Sequence, residues 1–342
     1  MRSHVNTIAR LLVSCVMLAV AAPAFAHHSA AAYDTQKEMK ISGTVVQYRF
    51  ANPHVYLTVQ VKKSDGSVST VEVEAGAAAV LNGLGFTKDS VKSGDVVTVV
   101  GNPARARPDG FMLGRELYKS DGTYVPLNIA SRSVYESKTA SATSIAGTWF
   151  SPRTEFGGFL GGAGRWSLTD KGKAAAASAD ERVKNALKDC IPVGAPALMF
   201  YPVANVITVQ RDRVVMKVDW MDSERIVYLD GRAHPPATQT SLQGHSVGRW
   251  DGKTLIVETT NFKDHPIGLS LSMPSSTQKK LTERLALSED GKTLIYSGVL
   301  DDPVYLAKPV EWSGKWEYRP TMKPSGEKCN IEVASRFLRQ EK

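Results

Sequence analysis

From residue 40 the chain alternates apolar and polar positions through "KISGTVVQYRFANPHVYLTVQV", with many β-branched residues. A period of two predicts strands, and Asn52-Pro53 splits the run into a pair. "SVSTVEVEA" continues the pattern after the turn "SDGS". "AAAVLNGLGF" breaks it with a short helical segment ending at glycine, and "DSVKSGDVVTVVG" and "FMLGRELYKSDGTYV" restore it. Three strands, a helix and two strands is the element order of an OB-like five-stranded barrel, placed over residues 27–130.

Residues 131–144, "SRSVYESKTASATS", lack large apolar residues apart from Val134 and Tyr135 and read as a linker. Periodicity returns at "IAGTWF", opening a second unit over residues 145–342. This unit begins with a strand, a glycine-rich loop "EFGGFLGGAGRW" and one helical insertion in "KGKAAAASADERVKNALKDC". From residue 205 it is nearly all strand. Turns are expected at Arg211-Asp212, Asp251-Gly252 and Asp290-Gly291, the last two being the Asp-Gly pairs that favour tight hairpins. The expected architecture is mainly β, with the second unit an antiparallel up-and-down barrel or strongly curved sheet.

The first 26 residues change the compartment rather than the fold. Arg2 and Arg10 precede the apolar run "LLVSCVMLAV" and the small-residue sequence Ala24-Phe25-Ala26. That is the pattern of a cleaved secretory signal, expected to be cut after Ala26 to give a periplasmic protein. A lipoprotein signal ending at Cys15 is the alternative, disfavoured because the apolar run continues past the cysteine. No later segment is long and apolar enough for a membrane-spanning helix. The chain carries a formal +8, which falls to +6 once Arg2 and Arg10 leave with the signal. In an exported protein this mild charge points to solubility or anionic surfaces, not to nucleic acid. Of three cysteines, Cys190 and Cys329 remain after cleavage, an even pair expected to form one disulfide in an oxidising compartment. The closed loop of roughly 140 residues would be worth on the order of 4 kcal/mol in the chain-entropy model.

"AHHSAAAYD", "NPHVYL" and "SGDVVTVVG" resemble a family of small exported proteobacterial domains of unknown function, over roughly residues 26–120. "LKDCIPVGAP", "RIVYLDGRAHP", "GHSVGRWDGKTLIVETTNF", "LTER" and "DDPVYLAKP" resemble a second uncharacterised family of exported bacterial proteins. Neither resemblance implies a reaction. "GTW" at residues 147–149 is similar to the Gly-x-Trp that opens lipocalin-like barrels, so the second unit is expected to be lipocalin-like.

Two constellations carry candidate chemistry. If cleavage follows Ala26, His27 offers an α-amino group and an imidazole, and His28 and His54 add further nitrogens. Amine and imidazole nitrogens suit Cu(II), so His27, His28 and His54 form a candidate copper set. The bland reading is a polar signal junction with His54 bonded to backbone. The second constellation lies in the larger unit. Asp230, Arg232, Arg249, Trp250, Arg284 and Asp302 are candidate ligand-binding residues, and His234, His245 and Glu283 are candidate acid/base groups. In "LTERL" either Glu283 or Arg284 must face a barrel interior, where a charge needs a partner. A zinc set of His234, His245 and Glu283 lacks compact ligand spacing. The leading expectation is a small-molecule binding protein with a cavity in the second unit. The alternatives are an enzyme using His234 or His245 there, and copper binding at the amino terminus.

Overall fold

The structure is a computed structural model and describes residues 32–136, 140–160, 164–178, 186–270 and 273–335. Alternation fixes the first barrel. In β1 (Met39–Arg49), β2 (Tyr56–Lys62), β3 (Val68–Glu74), β4 (Val96–Pro103) and β5 (Phe111–Lys119), Ile41, Val45, Leu57, Val59, Val71, Val73, Val97, Val99, Met112 and Leu117 point inward. The sheet order is β3-β2-β1-β4-β5, extended by the short β6 (Tyr124–Pro126), and a parallel pairing of β3 with β5 closes the barrel. Helix α1 (Ala78–Gly83) lies between β3 and β4 in sequence and buries Ala78 and Leu81 in the same core. This is the OB-like five-stranded barrel the pattern predicts.

Nine strands, among the described residues, close the second barrel. They are β7 (Gly147–Phe150), β8 (Ala204–Val209), β9 (Arg213–Val218), β10 (Ser223–Tyr228), β11 (His245–Asp251), β12 (Thr254–Thr260), β15 (Lys280–Leu287), β16 (Thr293–Asp301) and β17 (Val310–Tyr318). A small hairpin, β13 (His265–Ser270) with β14 (Met273–Ser275), interrupts the run. The Asp-Gly turns form where expected, with Gly252 and Gly291 at φ 59° and 70°. Neighbours in a closed meander of odd strand number cannot all be antiparallel. Here the parallel pair is β10 with β11, joined by residues 229–244.

The stretch expected to be a glycine-rich loop instead contains helix α2 (Arg153–Leu160), because Phe156, Phe159 and Leu160 share one helical face and bury it. Phe159 stacks on Phe200 of the 3-10 turn Ala197–Phe200, with ring centroids 4.4 Å apart, and Phe200 meets Tyr296 at 5.4 Å. The helical insertion is described at its two ends, as α3 (Asp170–Ala177), whose Thr169 cap accepts from the Gly172 amide at 3.0 Å, and as the 3-10 turn Ala186–Asp189; residues 179–185 between them lie outside the described residues. Of the tryptophans, Trp149, Trp220 and Trp316 are buried in the core, Trp166 and Trp312 pack against it, and Trp250 is exposed.

Cys190 and Cys329 form the expected disulfide. The stretch from Arg319 onward leaves the second barrel and lies along the first. Arg319 donates to the Gly83 carbonyl at 2.7 Å, and Asn52 donates to the Glu327 carbonyl at 2.7 Å. Helix α4 (Ile331–Ala334) ends this strap, with Val333 packed against Ala51 and Tyr56. No helix among the described residues is long and apolar enough to cross a membrane.

Candidate functional site

The closure of the second barrel is also where its wall opens. β10 and β11 are paired only at Val227 with Ser246 and Tyr228 with Val247. Before these positions the two segments diverge. Between them lies a pocket of about 360 Å³, running from exposed Glu224 and Ser241 to buried Arg225 and Ser246. Ile226, Tyr228, Leu242 and His245 supply its apolar and aromatic walls. That volume is at the small end of the range typical of ligand sites, about 300–1,000 Å³.

The loop that completes the pocket is held in place. Asn261, in the left-handed region at φ 60°, donates through Nδ2 to the carbonyls of Pro235, Pro236 and Gln239. The Ser241 amide donates to the Asn261 carbonyl at 2.9 Å, and the Ser241 hydroxyl closes a turn on Gly244. Gln243 bonds both Val193 and Ala195.

Behind the pocket, the barrel interior holds a buried ion pair. Arg225 and Glu283 are 2% and 1% exposed. Arg225 donates to Glu283 through Nη1 at 2.9 Å and Nη2 at 2.7 Å, the bidentate geometry that best offsets desolvation. The Tyr296 hydroxyl donates to Glu283 at 2.6 Å, and Thr259 links the carboxylate to Ser246. Burial pushes the Glu283 carboxyl up, but the Arg225 charge and hydrogen bonds outweigh it and hold it below its ordinary value. Burial likewise opposes charge on Arg225, and Glu283 reverses the direction. Arg225 Nε has no hydrogen-bond partner among the described residues.

At the pocket mouth, Asp230, Arg232, His234 and His245 come together. Asp230 forms a forked ion pair with Arg232, whose guanidinium lies 3.8 Å above the Tyr228 ring. His245 stacks on Tyr228, with centroids 5.3 Å apart. His234 Nδ1 and His245 Nδ1 are 3.0 Å apart. One must donate and the other accept, so the bond exists only while at least one ring is neutral. Burial, then the charges of His234 and Arg232, lower the pKa of His245.

The other expected site residues lie elsewhere. Alternation turns Ser246 and Gly248 inward and Arg249 outward, while Trp250 shares the inward parity but lies exposed at the strand end beside the Asp251-Gly252 turn. Glu283 takes the inward position, and Arg284 faces out to meet Asp251 at 3.7 Å. Asp302 is buried but anchors a turn, accepting from the Ser276 amide and hydroxyl at 2.7 Å each. The zinc set does not assemble: among the described residues no three of His, Cys, Asp or Glu converge as metal ligands.

Arg225 is the residue that sequence reasoning passes over. Its signal is parity. In "SERIVY", Arg225 shares a face with Ser223 and Val227, as Glu283 shares one with Leu281 and Leu285. Opposite charges at inward positions on two strands of one barrel imply a pair.

In the first barrel, His54 is partly buried beside Glu74, with Nδ1 3.2 Å from the Ala75 carbonyl and 3.3 Å from Glu74 Oε1. His27 and His28 lie outside the described residues.

Residues 15–112 match the model of a family of unknown function (DUF6152). The match spans His54 and Glu74. No curated protein matches the chain.

Proposed function

We propose that the protein binds a small amphipathic molecule in the pocket between β10 and β11 and does not transform it. The observation that supports this reading is the opening of the barrel wall at its parallel pair, where buried Arg225 and Ser246 meet an aromatic wall of Tyr228 and His245. The rest of the barrel supplies a filled core of Trp149, Trp316, Tyr296 and their neighbours, so the ligand sits in the wall, not along the axis. Tyr228 and His245 offer flat faces, and unpaired edge groups of β10 offer hydrogen bonds. A location in the periplasm is part of the same proposal, resting on the signal pattern of the first 26 residues.

The test uses 1-anilinonaphthalene-8-sulfonate, an amphipathic anion of suitable size. Fluorescence titration is expected to show one saturable site, lost in Leu242→Trp, which fills the pocket. Binding that is non-saturable, or unchanged in Leu242→Trp, overturns the proposal.

A second reading is favoured by one observation: His245 lines the pocket with His234 against its ring. A tied imidazole pair can pass a proton, which is acid/base equipment. The two readings separate at His245→Ala. A binder keeps probe affinity within a few-fold, whereas an enzyme loses turnover by about 10²–10⁴-fold.

A further inference from the structure

We infer that the occupant of the pocket between β10 and β11 is a short, uncharged peptide segment, bound in extended form as an added strand on the free edge of β10. This rests on the reading of that pocket as a binding site and names the class of molecule that fits it. The first observation is the parity of the β10 ladder. The Leu229 amide donates to the Asp212 carbonyl at 2.8 Å, and β10 runs antiparallel to β9 from Ser223 to Tyr228. Backbone groups alternate between the two sides of a strand, so Ser223, Arg225 and Val227 bond to β9 while Glu224 and Ile226 face the other way. On that side β10 meets β11 only from Val227 onward. The amide and carbonyl of Glu224 and the amide of Ile226 therefore look into the gap. Glu224, Arg225 and Ile226 all line the pocket although their side chains alternate, as expected where the edge of the strand forms the wall. Such an edge is a template for a further strand. Three residues of edge run about 10 Å, room for a tripeptide.

The floor decides the charge of the occupant. The Arg225 side chain leaves β10 and reaches Ser246 on β11 and Thr259 on β12, so it passes beneath the gap. It is buried, and its Nε has no hydrogen-bond partner among the described residues. Ser223, two residues away on the same inward face, is also buried with its hydroxyl unpartnered. Buried donors without acceptors are costly, and an acceptor on the occupant satisfies them. Arg225 is already neutralised by the forked Glu283 carboxylate. A carboxylate on the occupant would place a second negative charge beside Glu283, so the fitting acceptor is a carbonyl or hydroxyl. On the opposite face, Ile226, Tyr228 and His245 offer apolar and flat surface. An extended segment alternates with the same period of two, so apolar residues flank a small polar one.

The test is an amide NMR titration of the chain with the blocked tripeptide acetyl-Val-Ser-Val-amide. Saturating shifts at the Glu224 and Ile226 amides are expected, with nuclear Overhauser contacts between the peptide and β10. The same peptide N-methylated at every backbone amide, and acetyl-Val-Asp-Val-amide, should each bind at least about 10-fold more weakly. These peptides need no change to the protein, so they decide the matter even where a variant fails to fold. Ile226→Pro removes an amide that faces the gap and none that bonds β9. It should weaken the first peptide by a similar factor while 1-anilinonaphthalene-8-sulfonate, which makes no ladder, still binds. One saturable site for 1-anilinonaphthalene-8-sulfonate without binding of the tripeptide, or equal affinity for its N-methylated form, overturns the inference and leaves the pocket reading standing. Absence of a saturable site for either molecule removes both.

Discussion

Arg225 and Glu283 set the character of the second barrel's interior. Two charges in a β core are tolerated because they form a forked pair and the carboxylate also takes hydroxyls from Tyr296 and Thr259. Removing one partner strands the other. Arg225→Met or Glu283→Gln should therefore lower unfolding free energy by about 3–5 kcal/mol, while Arg225→Met/Glu283→Met should recover most of it. By contrast, Arg284→Ala, which breaks an exposed pair, should change stability by about 0–1 kcal/mol. Urea denaturation of the four variants checks the contrast. Lys279 gives a pH signature. It is buried, donates to the Ala195 and Gly268 carbonyls, and lies 4.0 Å from the Phe262 ring centroid. Burial lowers its pKa from 10.5 to about 7. Between those values the unfolded chain binds more protons than the folded one, so stability rises with pH from about 7 to 10.5. Below 7 both states are protonated and the full desolvation penalty applies. Lys279→Met should flatten that rise in denaturation curves at pH 7, 8.5 and 10. An equal slope in both proteins would contradict the assignment.

At the scale of elements, the strands are legible because burial on one face imposes a period of two, and the Asp-Gly turns because glycine there takes positive φ. The parallel pairing of β10 with β11 is not legible in that way. It depends on an irregular loop held by Asn261, and no local period encodes a partner 19 residues away. Helix α2 is hidden by Gly157 and Gly158, which read as loop, while its buried face rests on only three residues. The candidate site is partly legible. Asp230, Arg232, His234 and His245 gather because "DGRAHPP" and "GHS" flank one connection. Arg249 and Arg284 do not, because one step of strand parity turns them outward, and Trp250 does not because it lies exposed at the strand end. His54 stands out by its type, but Glu74 does not: a glutamate closing "VEVE" reads as exposed until β3 pairs with β5. The stack at the pocket mouth also responds to acid. Below the ordinary histidine range His245 takes up a proton and its Nδ1 can no longer accept from His234. The new charge faces the anionic probe, so probe affinity is expected to rise as pH drops through that range, and His245→Gln should abolish the rise.

At the scale of the molecule, the strap beginning at Arg319 couples the barrels. The Arg319 guanidinium lies 3.7 Å from the Phe150 ring and 4.4 Å from the Tyr135 ring, while it bonds Gly83 and Glu317. Asn52 bonds both the strap and α1. The disulfide fixes the strap to the segment at Cys190. The intact protein should therefore unfold in one calorimetric transition, and Arg319→Ala/Cys329→Ser in two. A single transition in that double variant would show that the barrels are joined by other means.

The central claim is that a ligand enters the barrel wall where β10 and β11 part. The most direct measurement is a backbone amide NMR titration with 1-anilinonaphthalene-8-sulfonate. Shifts confined to residues 224–228 and 241–247, saturating at one probe per chain, are the predicted result. Shifts centred on other strands, or spread without saturation, would contradict it.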